Sequence, residues 1–548
     1  VFEVSSQWSE TVKVNNKFLI LLLLASCFLV ACDPGAPGDS TEVRGTGFAA
    51  ELSTSEFNAL PPEQQYEVAN KLLGSMFRGI AVEDYFDTSN GIATLVPKSK
   101  NFLGELRTTL NTKLLITDVQ AYDTIIDGLD AEGNPVAANA KYIFDGNRPR
   151  EVPLARIKEY PVSNDQFVHW MAYMLANTIM FSPALEMDAP DISDAQNMYR
   201  FLVLNISEER GVREIIRANL PSLARWRVSR SAENHALEAF ELYLGLFDTA
   251  QDSYNGGIAC KDLYLTPENE DYLIRRTDFP NTVPQLILGN YYVTTCDDLY
   301  DVVAGHPLLM PRVAEVIVNY LMSGRSQADR QSMIESIVSS GAQTFQDIFK
   351  VILFSRQFLL NTERPRSYEE NLMPMLDRLK WSPVANQPPV DERIFINMAA
   401  NSFSRMYLRG MGWDTMSLKI GRLPDVPLDG LSFANYHKSM REDILMKSAS
   451  YMGGVNAVSG MFYDGIGDPR PFVAGLNLND FIDYLFLSAL NRKATDVEKT
   501  DLTAVYTGVG YLLNGEVVIR SGRYDEIASI TYDYISRLPE FYYFRAIN

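Results

Sequence analysis

Apolar residues recur at helical spacing along most of the chain. Val68, Leu72, Leu73 and Phe77 keep the i, i+3, i+4 step, as do Val313, Val316, Ile317, Tyr320 and Leu321, and then Phe345, Ile348, Phe349, Ile352 and Leu353. That spacing places each set on one face of a helix. Pro61-Pro62 ahead of Glu63, Gln64 and Gln65 marks a helix start within a helical segment at 54–87. Residues 88–160 read differently. Asn90-Gly91, Asp127-Gly128 and Asp145-Gly146 punctuate short β-branched runs such as 114–119, which predicts a small hairpin or two. From 164 onward the helical period dominates, interrupted by turn-rich stretches at 412–430 and 453–475, with a last helical module at 478–548. The expected fold class is mainly α, a multi-helix globular body with a small mixed α/β N-terminal region. One internal echo stands out: 349–359 (FKVILFSRQFL) and 533–543 (DYISRLPEFYY) both run an apolar helix into a polar break and a terminal apolar or aromatic residue. Two copies do not make a solenoid.

The chain's first segment breaks this pattern. Lys13 and Lys17 precede an unbroken run of apolar and small residues at 18–30, too short for a membrane span of about 20 residues but suited to a signal-peptide core. Leu29-Val30-Ala31-Cys32 resembles the lipobox of bacterial lipoproteins, in which the cysteine is lipidated after cleavage, and 33–40 is a Pro/Gly-rich tether. Val1, with Glu3 and Glu10 ahead of the basic residues, makes Val12 the expected translation start. The expected organisation is a signal peptide at 1–31, a lipidated flexible tether at 32–53, an N-terminal mixed region at 54–160, a helical core at 161–435 and a C-terminal helical module at 436–548. The expected location is the cell envelope, membrane-anchored and facing the periplasm. Asp33 hints at the inner membrane, and the outer membrane stays open.

Charge and cysteine usage narrow the partners. The 548 residues carry 49 basic and 69 acidic side chains, a net charge of −20. Nucleic acid is excluded as a main partner, because phosphate neutralisation needs an excess of Lys and Arg. The expected partners are the membrane, through the lipid anchor, and another envelope protein. After processing, Cys260 and Cys296 remain, as a disulfide of an oxidising compartment or as two buried thiols. No C-x-x-C-H, G-x-S-x-G, Walker A or G-x-G-x-x-G motif occurs, and Asp127, Asp130 and Glu132 do not match a calcium loop. The four histidines, His169, His235, His306 and His437, include no i, i+4 pair. No cofactor and no metal are expected. His169 beside Trp170 reads as a core histidine, and His306 before Pro307 as a residue opening a helix, kept as a low-ranking site candidate.

Geometry singles out one helix face. At 100° per residue, Asn234, Glu238 and Glu241 fall within about 60° of one another, flanked by Leu237, Phe240, Tyr243 and Leu244 on one side and by Leu242 and Leu246 on the other. Arg225, Arg227 and Arg230 are near enough in sequence to pair with this stripe. It reads as a structural ion-pair network or as a polar site for acid–base work or cation binding.

The order of short motifs from about 160 to 435 resembles a family of exported bacterial helical proteins known as domain of unknown function eighteen hundred. Glu233-Asn234 with Glu238 and Glu241-Leu242 is similar to that family's E-N-x-x-R-E-L-x-E-L helix. Asp297-Asp298-Leu299 with Gly305-His306-Pro307 is similar to its D-x-x-x-x-x-L-x-x-H-P segment, and 345–358 to its L-x-x-L-L-x-S-P-E-F helix. Met411-Gly412 and Gly421-Arg422-Leu423-Pro424 stand where the family has M-G-Q and G-W-P. The stretch 487–498 (LSALNRKATDVE) resembles an N/S-R-x-P-T-x-x-E hairpin of related envelope proteins. The family's W-H-N-H-F run is replaced here by Leu175-Ala176-Asn177-Thr178-Ile179, so only Asn177 of that candidate chemical site survives. The resemblance implies an exported helical protein and brings no settled activity. The resulting expectation is a lipid-anchored lipoprotein that serves binding or assembly, with no catalytic residues assigned. The alternative is an envelope hydrolase or accessory protein for extracellular polymer processing.

Overall fold

Local capping signals explain where many helices start. In the computed structural model, Ser53 caps α1 (Thr54–Ala59) in a capping box with Glu56, and Pro62 opens α2 (Pro62–Ser75). The structure describes residues 42–80, 86–87, 94–95, 100–114, 125–126, 157–158, 160–176, 178–180, 192–265, 273–378, 476–513 and 518–547. Cys32, Asn177, His437, the Met411 and Gly421 motifs and the stretches at 412–430 and 453–475 lie outside these residues. Residues 43–548 belong to one unit.

The protein is mainly α, as the periodicity predicts. After α2 come β1 (Phe86–Asp87) and β2 (Thr94–Leu95), an antiparallel pair around Asn90-Gly91, and α3 (Phe102–Asn111), a helix inside the stretch read as turns and hairpins. β3 (Ile125–Ile126) precedes α4 (Asn164–Ala176), α5 (Ile192–Ser207), α6 (Val212–Asn219), α7 (Leu223–Ser229), α8 (Ala232–Leu244) and α9 (Ala250–Ala259). Four short strands then interrupt the expected all-helical core: β4 (Leu263–Leu265), β5 (Leu273–Arg275), β6 (Gln285–Ile287) and β7 (Tyr291–Val293). β5 pairs with β3 and β4, and β6 with β7. The Cys260–Cys296 disulfide joins the two ends of this excursion. Helices resume with α10 (Cys296–Gly305), α11 (Leu309–Leu321), α12 (Gln327–Ser339) and α13 (Phe345–Leu353), followed by β8 (Arg364–Pro365) and α14 (Tyr368–Arg378). The C-terminal part holds α15 (Leu478–Leu490), α16 (Asp496–Gly508), β9 (Leu512–Leu513), β10 (Val518–Ile519), α17 (Tyr524–Ile535) and β11 (Tyr543–Phe544).

Sequential helices pack as pairs, α4 with α5, α8 with α9 and α11 with α12. Glycine permits one close approach: a Cβ at Gly257 would lie 2.8 Å from the Glu233 backbone, and one at Gly256 the same distance from the Ala236 side chain. α9 can therefore lie directly on α8. Trp170 of α4 sits at the centre of an aromatic core, stacked on Phe167 and edge-on to Phe77 and Phe349. The chain just after the first echoing segment pairs with the end of the second: β8 and β11 are antiparallel partners.

The 487–498 stretch has a plain physical account. Asn491 ends α15 in the left-handed region (φ 61°), and Thr495 caps α16 in a capping box with Glu498. Arg492 grips both Glu498 oxygens at 2.7 and 2.8 Å and also bonds Glu540. Burial opposes ionisation of Glu498, but the bonds from Arg492 and Thr495 outweigh it and hold the carboxyl at about 2.

Candidate functional site

The predicted polar stripe folds inward. Arg230, left-handed at φ 60°, ends α7, and Ser231 caps α8, so the two helices turn back on each other. This brings the Arg225 guanidinium, wholly buried, to 3.3 Å from Glu238, whose side chain is 15% exposed. Asn234 Nδ2 donates to Glu238 Oε1 and to the Ser229 carbonyl, both at 3.0 Å, and Ser229 Oγ lies 3.3 Å from Glu238 Oε2. Arg225 also rests 5.7 Å from the Tyr243 ring centroid, and Tyr243 accepts a bond from Asn219. Asn234 and Glu238 are thus brought together with Arg225. Glu241 is half-buried on the same helix, its carbonyl capped by Gly245, and Arg230 is exposed.

A histidine not assigned to the stripe completes the cluster. His235 is fully buried, stacked on Trp226 at 4.5 Å and edge-on to Tyr300, while Trp226 Nε1 donates to the Tyr300 hydroxyl. Its Nδ1 lies 3.4 Å from Ser229 Oγ, and its Nε2 has no hydrogen-bond partner among the described residues. Burial, and then the Arg225 charge, hold its pKa well below the usual value, so it is neutral. The sequence signal was available: 235, 239, 242 and 243 share the apolar face of α8. With Arg225 and His235 closed off from solvent, this arrangement fastens α7 to α8.

His306 stands apart from the stripe. It ends α10, its carbonyl accepts from Arg213 at 2.9 Å, and its Nδ1 accepts from the Leu308 amide at 3.2 Å. Burial and Arg213 lower its pKa. α11 starts only at Leu309, so His306 closes a helix instead of opening one, and Pro307 lies in the link. His169 is buried, bonded to the Tyr199 hydroxyl and stacked on Tyr160.

A second charged cluster went unread in the sequence. Arg364 and Glu370 are both buried and joined by two hydrogen bonds, and Arg364 also donates to Ser75. Beside them Lys71 of α2 donates to the carbonyls of Leu359, Thr362 and Arg545, drawing three distant segments together. Burial, and then Arg364, pull the Lys71 pKa down to about 7, while the three carbonyls favour the ammonium. A small recess, open to solvent, adjoins Lys71, with Glu67, Arg366, Asn491 and Arg545 on its walls. Burial raises the Glu67 pKa despite Arg545 and Lys71 nearby.

Among the described residues no group of three or more His, Cys, Asp or Glu could hold a metal ion, and no helix is long and apolar enough to cross a membrane. Comparison of the chain with protein families, curated proteins and solved structures gives no match.

Proposed function

We propose that this chain is a lipid-anchored envelope lipoprotein, similar to the unknown-function family, whose helical body works by binding or assembly. The lipobox ending at Cys32 supports the anchor, and the Cys260–Cys296 disulfide suits an oxidising compartment. The observation that carries the binding role is the β6–β7 hairpin. Leu286 and Tyr292 are cross-strand partners that both face outward, Tyr292 being 71% exposed, with Val283 and Phe279 also exposed on the same excursion. Ile287 and Val293 point to the core instead.

The fold holds this hairpin firmly. Asn255 of α9 donates to the Leu286 carbonyl, and Asp252 accepts from the Leu288 amide. Leu288 itself sits at φ 48°, a backbone region that a bulky residue occupies only when its surroundings enforce it. Exposed apolar side chains on a constrained loop fit recognition of a partner.

A photo-crosslinking amino acid at Tyr292, in cells, is expected to trap one discrete envelope protein, and Leu286→Ser is expected to weaken that adduct. No adduct, or a smear unaffected by Leu286→Ser, would refute the binding role. Labelled palmitate should enter the wild-type chain and not Cys32→Ser; labelling that persists in the variant would refute the anchor.

A further inference from the structure

The β6–β7 hairpin leaves one strand edge open, and its hydrogen bonds show which. Along an antiparallel pair, hydrogen-bonded and non-bonded residue pairs alternate. The register sets Gln285 opposite Val293, Leu286 opposite Tyr292 and Ile287 opposite Tyr291. The Leu286 carbonyl accepts from Asn255 of α9 at 2.7 Å. Pro284 has no N–H, and the Thr294 amide bonds Asp298 at 2.9 Å, so 284 and 294 do not form a bonded pair. The bonded pairs are therefore 285 with 293 and 287 with 291. Leu286 and Tyr292 are the pair between them, and their backbone groups turn outward to opposite sides.

Those two sides differ. On the β6 side, α9 closes the edge, with Asn255 on the Leu286 carbonyl and Asp252 on the Leu288 amide. On the β7 side, the Tyr292 amide and carbonyl meet no hydrogen-bonding partner among the described residues. Two residues on, Thr294 is already satisfied, its amide by Asp298 and its carbonyl by Asn281 at 2.9 Å. Tyr292 is the open rung.

Strand edges that must stay unpaired commonly carry a charge, a proline or a bulge. This edge lacks all three. Residues 279–296 hold no Asp, Glu, Lys or Arg, in a chain that is 22% charged. β7 contains no proline, and it pairs with β6 residue for residue. Its brevity limits an added strand to one rung of backbone bonds, so side chains must supply the rest of the contact.

We infer that β7 receives an extended segment of the binding partner as an added strand, a mode in which backbone bonds hold the segment and side-chain contacts select it. The segment accepts a hydrogen bond from the Tyr292 amide and donates one to the Tyr292 carbonyl. It is uncharged where it crosses β7, because an ionised side chain would lose water there without meeting a counter-charge on residues 279–296. Its outward side chains lie beside the exposed Tyr292 ring, with Leu286 beyond it, and extend that apolar surface. The inference rests on the binding role proposed above and adds the form of the partner.

The test places an apolar photo-crosslinking amino acid at Leu286 of the full chain, in cells, and varies Tyr292. Tyr292→Thr keeps the amide and a side chain suited to strands. Tyr292→Pro removes an amide that the hairpin itself does not use. Proline is expected to lower the adduct about tenfold below threonine, the effect of one missing hydrogen bond, with equal thermal midpoints in the two variants. In the purified wild-type adduct, hydrogen exchange of the Tyr292 amide should be about tenfold slower than in the free chain. That second readout holds even where proline disturbs the hairpin. Equal adducts from threonine and proline, or an amide that exchanges equally fast in the adduct, would overturn the added strand and leave the binding role standing. No wild-type adduct at all would overturn both. An adduct made of two copies of this chain would overturn the partner segment.

Discussion

Among the arginine–carboxylate pairs of the described residues, Arg225–Glu238 and Arg364–Glu370 differ in how far the fold closes over them. Arg225 and Glu238 come from consecutive helices, approach to 3.3 Å, and leave the carboxylate partly exposed. Arg364 and Glu370 are closed in completely, with side-chain exposures of 1% and 0%. They meet through two parallel bonds, and Glu370 also accepts the Ser367 amide at 2.8 Å. Arg364 further touches the faces of Tyr320 and Phe544 and donates to Ser75. The first pair therefore fastens one local helical turn. The second ties α2, α11, α14 and β11 to one charge, and isolating that charge would disturb all four.

The comparison is sharpened first by Glu370→Gln. It strands a buried guanidinium and should cost about 3–5 kcal/mol, read as a large drop in thermal midpoint. Replacing Arg364 and Glu370 together with Met and Leu should recover most of that loss; a double variant no better than the single one would show that the pair acts through something other than its charge. Next comes the disulfide. Removing both Cys260 and Cys296, which are 36 residues apart, should cost about 4 kcal/mol on a chain-entropy account. Quantitative alkylation of both cysteines without reductant would contradict the bond.

The smallest effect is that of pH. His235 is neutral when folded because its pKa is depressed, so the unfolded chain binds the extra proton. Stability should therefore fall as pH drops below about 6.5. His235→Phe should flatten that limb, leaving the share that belongs to His306. Glu498, held at about 2, adds a second limb in which stability present above its ordinary value of 4.5 is lost as pH falls toward 2. Unfolding midpoints across pH 7.5 to 2.5 separate the two, and an unchanged lower limb in Glu498→Gln would refute the second.

What the sequence made legible was local. The 3.6-residue period of Phe345 through Leu353 marks α13, and T-x-x-E at Thr495 and Glu498 marks the start of α16. The α8 stripe was found by the same arithmetic, which explains why Asn234 and Glu238 were singled out with Arg225 close by. Strands β4 to β7 were missed because each has only three residues, too few to show alternation. Lys71 and Arg364 were missed for another reason. Lys71 bonds Leu359 and Arg545, and Arg364 bonds Ser75. Such separations leave no mark in spacing, since they follow from how the helices pack.

The central claim is that the Asn234–Glu238–Arg225 constellation is structural. Its most direct test is thermal unfolding at neutral pH of Glu238→Gln beside wild type and Glu370→Gln. The account predicts that Glu238→Gln loses about 1.5–3 kcal/mol, the worth of a hydrogen bond to a charged group, and less than Glu370→Gln loses. A Glu238→Gln midpoint equal to or above that of wild type would contradict it, because groups held for function rather than stability commonly stabilise the fold when removed.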